Sequence, residues 1–361
     1  MKKVIFFVTG LNSGGIENYL LRFLQYKATF FSEIVIYCKG GMEGQLDEDF
    51  LIIPNVKILR NEISFFNPFH YIKLKSYLEK QKFDAMCDFT GNFAGLILLC
   101  GKKAGINKRI VFYRSSSDRF SKTLFKTKYN NFVKKLTYEN ATNILSNSRA
   151  AFDFFYKKNQ HDKRFQVIYN GIDAANFNVG NHNLRQAFNI PENAFVIGHT
   201  GRFNPAKNHD VILMVAVRLL SKYPDIYFIL CGNGVRNGLE NKIKELDIDD
   251  KTRLFENRND IPLFLNTMDI YFFPSITEGQ PNALIEAMIM GIPFVASDIP
   301  PIKETVEDYP NLYNPLDIEG FTDALESLYL NGVQKDINLQ KKAISRFNYK
   351  ERFDEFYNNF L

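Results

Sequence analysis

Short runs rich in Val, Ile and Phe alternate with longer helix-periodic segments from one end of this chain to the other. Strand alternating with helix demands parallel sheets with helices on both faces, and such sheets bind ligands at the carboxyl ends of their strands. The first set of candidate strands is Val4 to Val8, Ile34 to Tyr37, Val56 to Leu59, Ala85 to Asp88, Arg109 to Tyr113 and Ile144 to Ser146. The second set is Gln166 to Tyr169, Val196 to Thr200, Tyr227 to Cys231, Ile270 to Phe273 and Phe294 to Ser297. A length of 361 residues suits two cores better than one. The boundary is expected near Arg164 to Gln166, where a basic stretch ends and a strand leads into the turn-forming Asn170-Gly171-Ile172-Asp173. This reading gives domains at 1–165 and 166–345. A final helix over 346–361 carries Phe353, Phe356, Tyr357 and Phe360 on one side, and that side must pack on something, the first domain being a candidate.

Composition removes several function classes. Apolar residues at 45% and charged residues at 24% describe a globular chain without extended disorder. Cys38, Cys87, Cys100 and Cys231 lie far apart with no CxxC pair, which argues against a zinc site or a disulfide framework. The opening apolar run stops at Thr9-Gly10, too soon for a signal peptide, and the run from Leu96 to Cys100 cannot span a bilayer. A cytoplasmic location is therefore expected. The net charge of +5 is uneven, because residues 102–164 hold sixteen Lys or Arg against Asp118, Glu139, Asp153 and Asp162. Within that region, Arg119 to Lys135 places Phe120, Leu124, Phe125, Tyr129 and Phe132 at helical spacing among lysines. Such a face fits peripheral contact with anionic lipid or a polyphosphate substrate, and equally a core-facing stripe with a solvated lysine side. No nucleic-acid motif accompanies the charge.

Three segments carry chemistry. The loop Gly10 to Gly15 joins a strand to a helix, where glycines let backbone N–H groups approach an anion, although its spacing is not the GxGxxG of dinucleotide folds. In TGRFNPAKNHD, residues 200–210, Arg202 and Lys207 flank a turn at a strand end, where two cations can stabilise a leaving diphosphate. In PSITEGQPNALIEAMIMGIPFVASD, residues 274–298, Pro281 is expected at a first helical position, leaving the N–H groups of Asn282 and Ala283 at a helix N-terminus that favours phosphate. Glu278 precedes that helix and Glu286 lies about two turns along it.

These segments resemble the retaining glycosyltransferases of family 4. The resemblance runs through GGIE at 14–17, YNGID at 169–173, GRFNPAKN at 201–208 and EGQPNALIE at 278–286. It implies the GT-B fold, α/β with two Rossmann-like domains facing across a cleft, the acceptor bound by the first and a nucleotide-sugar donor by the second. It implies Arg202, Lys207 and Glu278 as catalytic residues, the first pair on the diphosphate and Glu278 facing the sugar. Donor binding falls to Gly15, Gly201, Arg258, Gly279, Pro281, Asn282, Ala283 and Glu286, with Glu286 on the ribose. Gly14 and Arg114 fall to the acceptor. Many relatives carry a His after the strand ending at Tyr113; here the sequence reads Arg114-Ser115-Ser116-Ser117-Asp118, which assigns Arg114 to an acidic or phosphorylated acceptor.

The expected reaction is transfer from a nucleotide-diphosphate sugar, UDP by resemblance, to a glycan or lipid-diphosphate acceptor in bacterial cell-surface synthesis. Neither cofactor nor metal is expected, since Asp47-Glu48-Asp49 and Asp247-Ile248-Asp249 do not directly follow a candidate strand. The competing readings are a sugar-nucleotide-binding partner protein without catalysis, an epimerase on the same plan and an NAD enzyme.

Overall fold

The computed structural model describes residues 1–64, 67–114, 124–157 and 162–361, and of residues 124–126 the backbone. The described chain forms two units, Met1–Gly171 with Tyr349–Leu361, and Ile172–Asn348.

The first unit holds a seven-stranded sheet of order β3-β2-β1-β4-β5-β6-β7. Its strands are β1 (Lys2–Val8), β2 (Phe31–Cys38), β3 (Val56–Arg60), β4 (Ala85–Asp88), β5 (Lys108–Tyr113), β6 (Asn143–Ser146) and β7 (Phe165–Val167). Every pairing is parallel. Residues alternate between faces along each strand, so Val4, Phe6 and Val8 enter one core layer while Ile5 and Phe7 enter the other. The first layer is aromatic. Phe6, Tyr19, Phe23, Phe31, Phe89 and Phe112 meet Phe353, Phe356 and Phe360 of the carboxyl-terminal segment, whose helix spans Tyr349–Asn358. Phe356 packs 4.7 Å from the Phe23 ring and 5.2 Å from Phe112.

The second unit holds a six-stranded sheet of order β10-β9-β8-β11-β12-β13. Its strands are β8 (Phe195–Thr200), β9 (Ile226–Cys231), β10 (Thr252–Phe255), β11 (Ile270–Phe273), β12 (Phe294–Ser297) and β13 (Leu312–Tyr313), again all parallel. Helices His209–Leu220, Val235–Glu245 and Ile318–Asn331 cover one face with Ile212, Leu219, Leu239, Phe321 and Leu325.

Three expectations need correction. Gln166 to Tyr169 does not open the second sheet: β7 pairs with β6, Leu145 against Gln166, so the first unit runs on to Gly171. The edge strands β10 and β13 were not expected, being short and mixed in polarity. In the basic stretch the helix spans Leu124–Asn140, and its packed face is Val133 and Thr137 rather than Phe132, which is 53% exposed. Gly95 permits this approach, since a Cβ there would press on the Val133 carbonyl and come within 2.9 Å of Leu136 Cβ. Residues 115–123 of that stretch, including Phe120 and Lys122, lie outside the described residues.

Because the carboxyl-terminal helix supplies three buried rings to the first core, Phe356→Ala should destabilise the first unit by about 3–5 kcal/mol, the usual cost of emptying a buried phenylalanine site. Urea unfolding followed by tyrosine fluorescence reads this directly, and a loss below about 1 kcal/mol would show that the helix is only loosely seated.

Candidate active site

In the second sheet the chain order reverses between β8 and β11, and the loops leaving these neighbouring strands carry most of the residues singled out above. After β8, Gly201 donates its N–H to Cys231 O at 2.8 Å, and Phe203 N–H reaches Asn233 O at 2.9 Å. The chain then makes a short turn over Pro205–Lys207 and enters the helix His209–Leu220 through Asn208, which holds a left-handed conformation at φ 59°. Asn tolerates that region better than most residues. Its side chain also donates to Pro274 O at 3.0 Å and Pro315 O at 2.7 Å, tying the β8 loop to the β11 loop. A second tie is Ile276 N–H to Ala206 O at 2.8 Å.

These ties bring Lys207 onto Glu278. The ammonium lies 2.5 Å from Glu278 Oε1 and 4.9 Å from the centre of the Phe273 ring. The side chains are 17% and 11% exposed. Gly201 leaves room for the lysine stem, since a Cβ there would sit 3.1 Å from Lys207 Cδ. Arg202, on the same loop, is exposed and makes no ion pair among the described residues.

The helix Asn282–Ile289 begins just past Glu278. Pro281 is its N-cap rather than its first helical residue, accepting from Ile285 N–H at 3.1 Å and offering no side-chain cap of its own. Asn282, Ala283 and Glu286 are half-buried on this helix, and Gly279 precedes it. Beneath, Tyr271 is fully buried and hydrogen-bonds Thr200 Oγ1 at 2.7 Å. Burial first, with the charges of Glu286 and Glu278 in support, pushes its hydroxyl far above the ordinary range.

The neighbouring helix Val235–Glu245 presents a different terminus. Its amides are taken by Glu256, which accepts from Gly234 N–H at 2.6 Å and Arg236 N–H at 3.1 Å. Arg258, after β10, does not stand open: Asp260 clasps its guanidinium at 2.7 and 2.6 Å, and the group stacks over Phe188 and Phe255.

Gly14, Gly15 and Arg114 belong to the first unit and its own strand ends. Gly14 caps the helix Gly15–Lys27 without a side-chain bond, and the Glu17 carboxylate occupies the space a Cβ would need there. Arg114 follows β5 and lies flat on Tyr19, its guanidinium 3.9 Å from the ring centre. Burial pushes its pKa down to about 10, and its Nη1 is buried without a hydrogen-bond partner.

Sequence reasoning did not foresee how polar groups pair in the interior behind these loops. His199 and His209 stack edge to face at 5.2 Å, and burial first, then the neighbouring cation Lys207, pushes His209 down to about 4. In the first unit Lys39 bridges Asp88 at 2.9 Å and Thr90 Oγ1 at 2.6 Å across the end of β1. Neither pair has a spacing signal, because each joins residues from different segments. Asp47 of the first acidic triplet pairs with Arg60, and among the described residues no group of three His, Cys, Asp or Glu could hold a metal ion.

Comparison with known proteins bears on both units. Residues 13–176 match the model of Glycosyltransferase Family 4, and residues 181–346 match that of Glycosyl transferases group 1. The capsular polysaccharide biosynthesis glycosyltransferase CapH of Staphylococcus aureus is 27% identical over 98% of this chain and 95% of its own. The N-acetylgalactosamine-N,N'-diacetylbacillosaminyl-diphospho-undecaprenol 4-alpha-N-acetylgalactosaminyltransferase of Campylobacter jejuni is 26% identical over 82% of this chain and 81% of its own. The crystal structure of Anabaena HepE in complex with UDP superposes with a TM-score of 0.81 at 21% identity, covering 99% of this chain and 98% of the other.

The buried histidine pair sets a pH dependence. A folded pKa of about 4 for His209 means that, as pH falls from the ordinary 6.5 toward 4, the unfolded chain takes up a proton the folded one refuses. Stability of the second unit should therefore fall over that window by up to about 1.4 kcal/mol per pH unit for this one group. Equilibrium unfolding at several pH values checks it, and His209→Gln should flatten the slope; equal slopes in both proteins would remove His209 as the cause.

Proposed function

We propose, on the premise that this chain belongs to the family 4 glycosyltransferases of group 1, that it moves a sugar from UDP to a lipid-diphosphate-linked glycan with retention of configuration and without a metal ion. The observation that carries this is the meeting, at the point where strand order reverses, of Lys207, Glu278 and the N-terminus of the helix Asn282–Ile289. Open α/β sheets bind ligands at that point. A helix N-terminus with a nearby ammonium is a cradle for phosphate.

In this reading the diphosphate lies against Lys207, Arg202, Gly279 and the amides of Asn282 and Ala283, under the Pro281 cap. Glu286, on the same helix, takes the ribose hydroxyls. Arg258 and its aromatic neighbours wall the base side beyond β10. As the bond from the anomeric carbon to the phosphate oxygen breaks, its electron pair stays with the diphosphate, where the cations and the helix terminus stabilise the growing charge. Glu278 is held by Lys207 rather than poised as a nucleophile. The acceptor hydroxyl therefore attacks from the face the leaving group vacates, through a short-lived oxocarbenium ion, and its proton passes to the leaving phosphate oxygen.

UDP is supported by the ligand in the HepE structure, and a lipid diphosphate by the acceptor in the name of the Campylobacter relative. The CapH relative supports a place in cell-surface polysaccharide synthesis. In the first unit we assign the acceptor's phosphate to Arg114, whose buried Nη1 has no partner. No helix among the described residues is long and apolar enough to cross a membrane. In this reading the enzyme is cytoplasmic and meets its lipid-linked acceptor at the inner face of the bilayer. Lys128 and Lys135 are exposed about one turn either side of Phe132, Lys102 and Lys103 are exposed at the end of the helix Gly95–Lys103, and in this reading they supply the charge for such peripheral contact.

Calorimetric titration with UDP in excess EDTA tests the donor site. Wild-type protein should bind, and Glu286→Ala should weaken binding by about 1.5–3 kcal/mol, the range for a hydrogen bond to a charged group. Binding that vanished with EDTA would mean a metal carries the diphosphate, and unchanged affinity in the variant would take the ribose away from Glu286.

The membrane contact is tested separately. Changing Lys102, Lys103, Lys128 and Lys135 together to Gln should abolish co-sedimentation with phosphatidylglycerol liposomes, since each charge near the surface contributes about 1 kcal/mol. If wild-type protein does not co-sediment at physiological salt, the peripheral contact is wrong and the transferase reading stands.

A further inference from the structure

A glycine within a helix needs a reason, because it weakens the helix relative to alanine. Gly238 holds such a position, fourth in the eleven residues of Val235–Glu245. The Phe203 ring supplies the reason. A Cβ on Gly238 would lie 2.5 Å from two ring carbons, Cδ1 and Cε1, and 2.8 Å from Cγ. One turn earlier, a Cβ on Gly234 would sit 3.5 Å from Phe203 Cβ. The same ring meets His209, the first residue of the helix His209–Leu220, at 5.4 Å between centroids. Phe203 therefore touches the first turns of two helices at once.

The seat under the ring is firm. Glu256 holds the helix start through the N–H groups of Gly234 and Arg236, at 2.6 and 3.1 Å. The loop backbone is tied to the same side by Gly201 N–H to Cys231 O at 2.8 Å and by Phe203 N–H to Asn233 O at 2.9 Å. Arg202 lies between these two ties, and Lys207 follows four residues after Phe203.

We infer that Gly238 and Phe203 are positioning residues for the donor's diphosphate: the ring, seated on the bare helix backbone, sets where the loop 201–208 stands and so where Arg202 and Lys207 present their charges. This rests on the donor reading above and adds to it a pair of residues that need not touch the donor. Placement of this kind matters, because a misplacement of about 1 Å caused from outside the reacting centre can cost on the order of a hundredfold in rate. A side chain at Gly238 forces the ring from its seat or the loop from its course.

Titration calorimetry with UDP and with uridine tests this on wild type, Gly238→Ala, Phe203→Ala and the double variant. Gly238→Ala should weaken UDP about tenfold, the change that corresponds to one hydrogen bond to a charged group. Uridine binding should not change, since the loop carries cations for the diphosphate and nothing for the base. Phe203→Ala, which adds no atoms, should also weaken UDP and spare uridine. With the ring gone, Gly238→Ala should weaken UDP no further and should raise the melting temperature, because alanine is the better helix residue. A merely structural role would not separate UDP from uridine. If Gly238→Ala or Phe203→Ala binds UDP as wild type does while Lys207→Gln weakens it, the donor site stands and the positioning role is overturned. Equal weakening by Gly238→Ala with and without the ring overturns it too. If Gly238→Ala does not fold, Phe203→Ala alone decides by the same comparison of UDP with uridine. If Lys207→Gln leaves UDP affinity unaltered, the diphosphate is not on this loop, and the donor reading fails together with the inference.

Discussion

In a parallel sheet every strand delivers its last residues to the same edge, and the arrangement of this protein's candidate site depends on that single constraint. The backbone groups that the strands stop pairing, the loops that must turn back and the N-termini of the following helices all collect there. In the second unit the consequence is concrete. The ends of β8 and β11 are neighbours because the strand order reverses between them, so residues seventy apart in the sequence become hydrogen-bonding partners, as Ala206 and Ile276 do. Lys207 reaches Glu278 through this edge rather than through any local motif.

The same edge sorts anion sites by what already occupies them. A helix N-terminus attracts any carboxylate within reach, its own chain's included. Glu256 has taken the amides at the start of Val235–Glu245, and Glu17 lies over Gly14 at the start of Gly15–Lys27. The helix Asn282–Ile289 begins at a proline, which has no side-chain oxygen with which to cap it. A ligand phosphate therefore meets a resident carboxylate at the first two of these termini.

Much of this was legible in the sequence, and the gaps have a common cause. Buried parallel strands such as Ile270–Phe273 and Phe294–Ser297 announce themselves as apolar runs, and EGQPNALIE marks its helix by composition alone. Edge strands do not. Thr252–Phe255 and Leu312–Tyr313 have one partner each and need only a few residues of mixed polarity. The domain limit slipped for a related reason: Phe165–Val167 is an edge strand whose allegiance is decided by β6, which the local sequence does not reveal. The state of the candidate site residues was not legible either. That Lys207 would be neutralised by Glu278, Arg258 by Asp260, and Arg114 laid flat on Tyr19 depends on side chains that come from other segments or turn back along their own.

The surplus of phenylalanine and the absence of tryptophan acquire a physical sense in the first unit. A phenyl ring buries a large apolar area and carries no group that must find a hydrogen bond, so rings can pack edge to face from several directions at once. The cluster of Phe6, Phe23, Phe89, Phe112, Phe356 and Phe360 does this under a helix that arrives from the far end of the chain. Tyr19 is the exception within it, since its hydroxyl is buried without a hydrogen-bond partner. Its ring carries the Arg114 guanidinium, whose Nη1 is likewise without a partner. Two unsatisfied donors side by side in an otherwise apolar layer are a costly arrangement for stability alone. A bound anion would resolve it, in line with the acceptor phosphate proposed for Arg114.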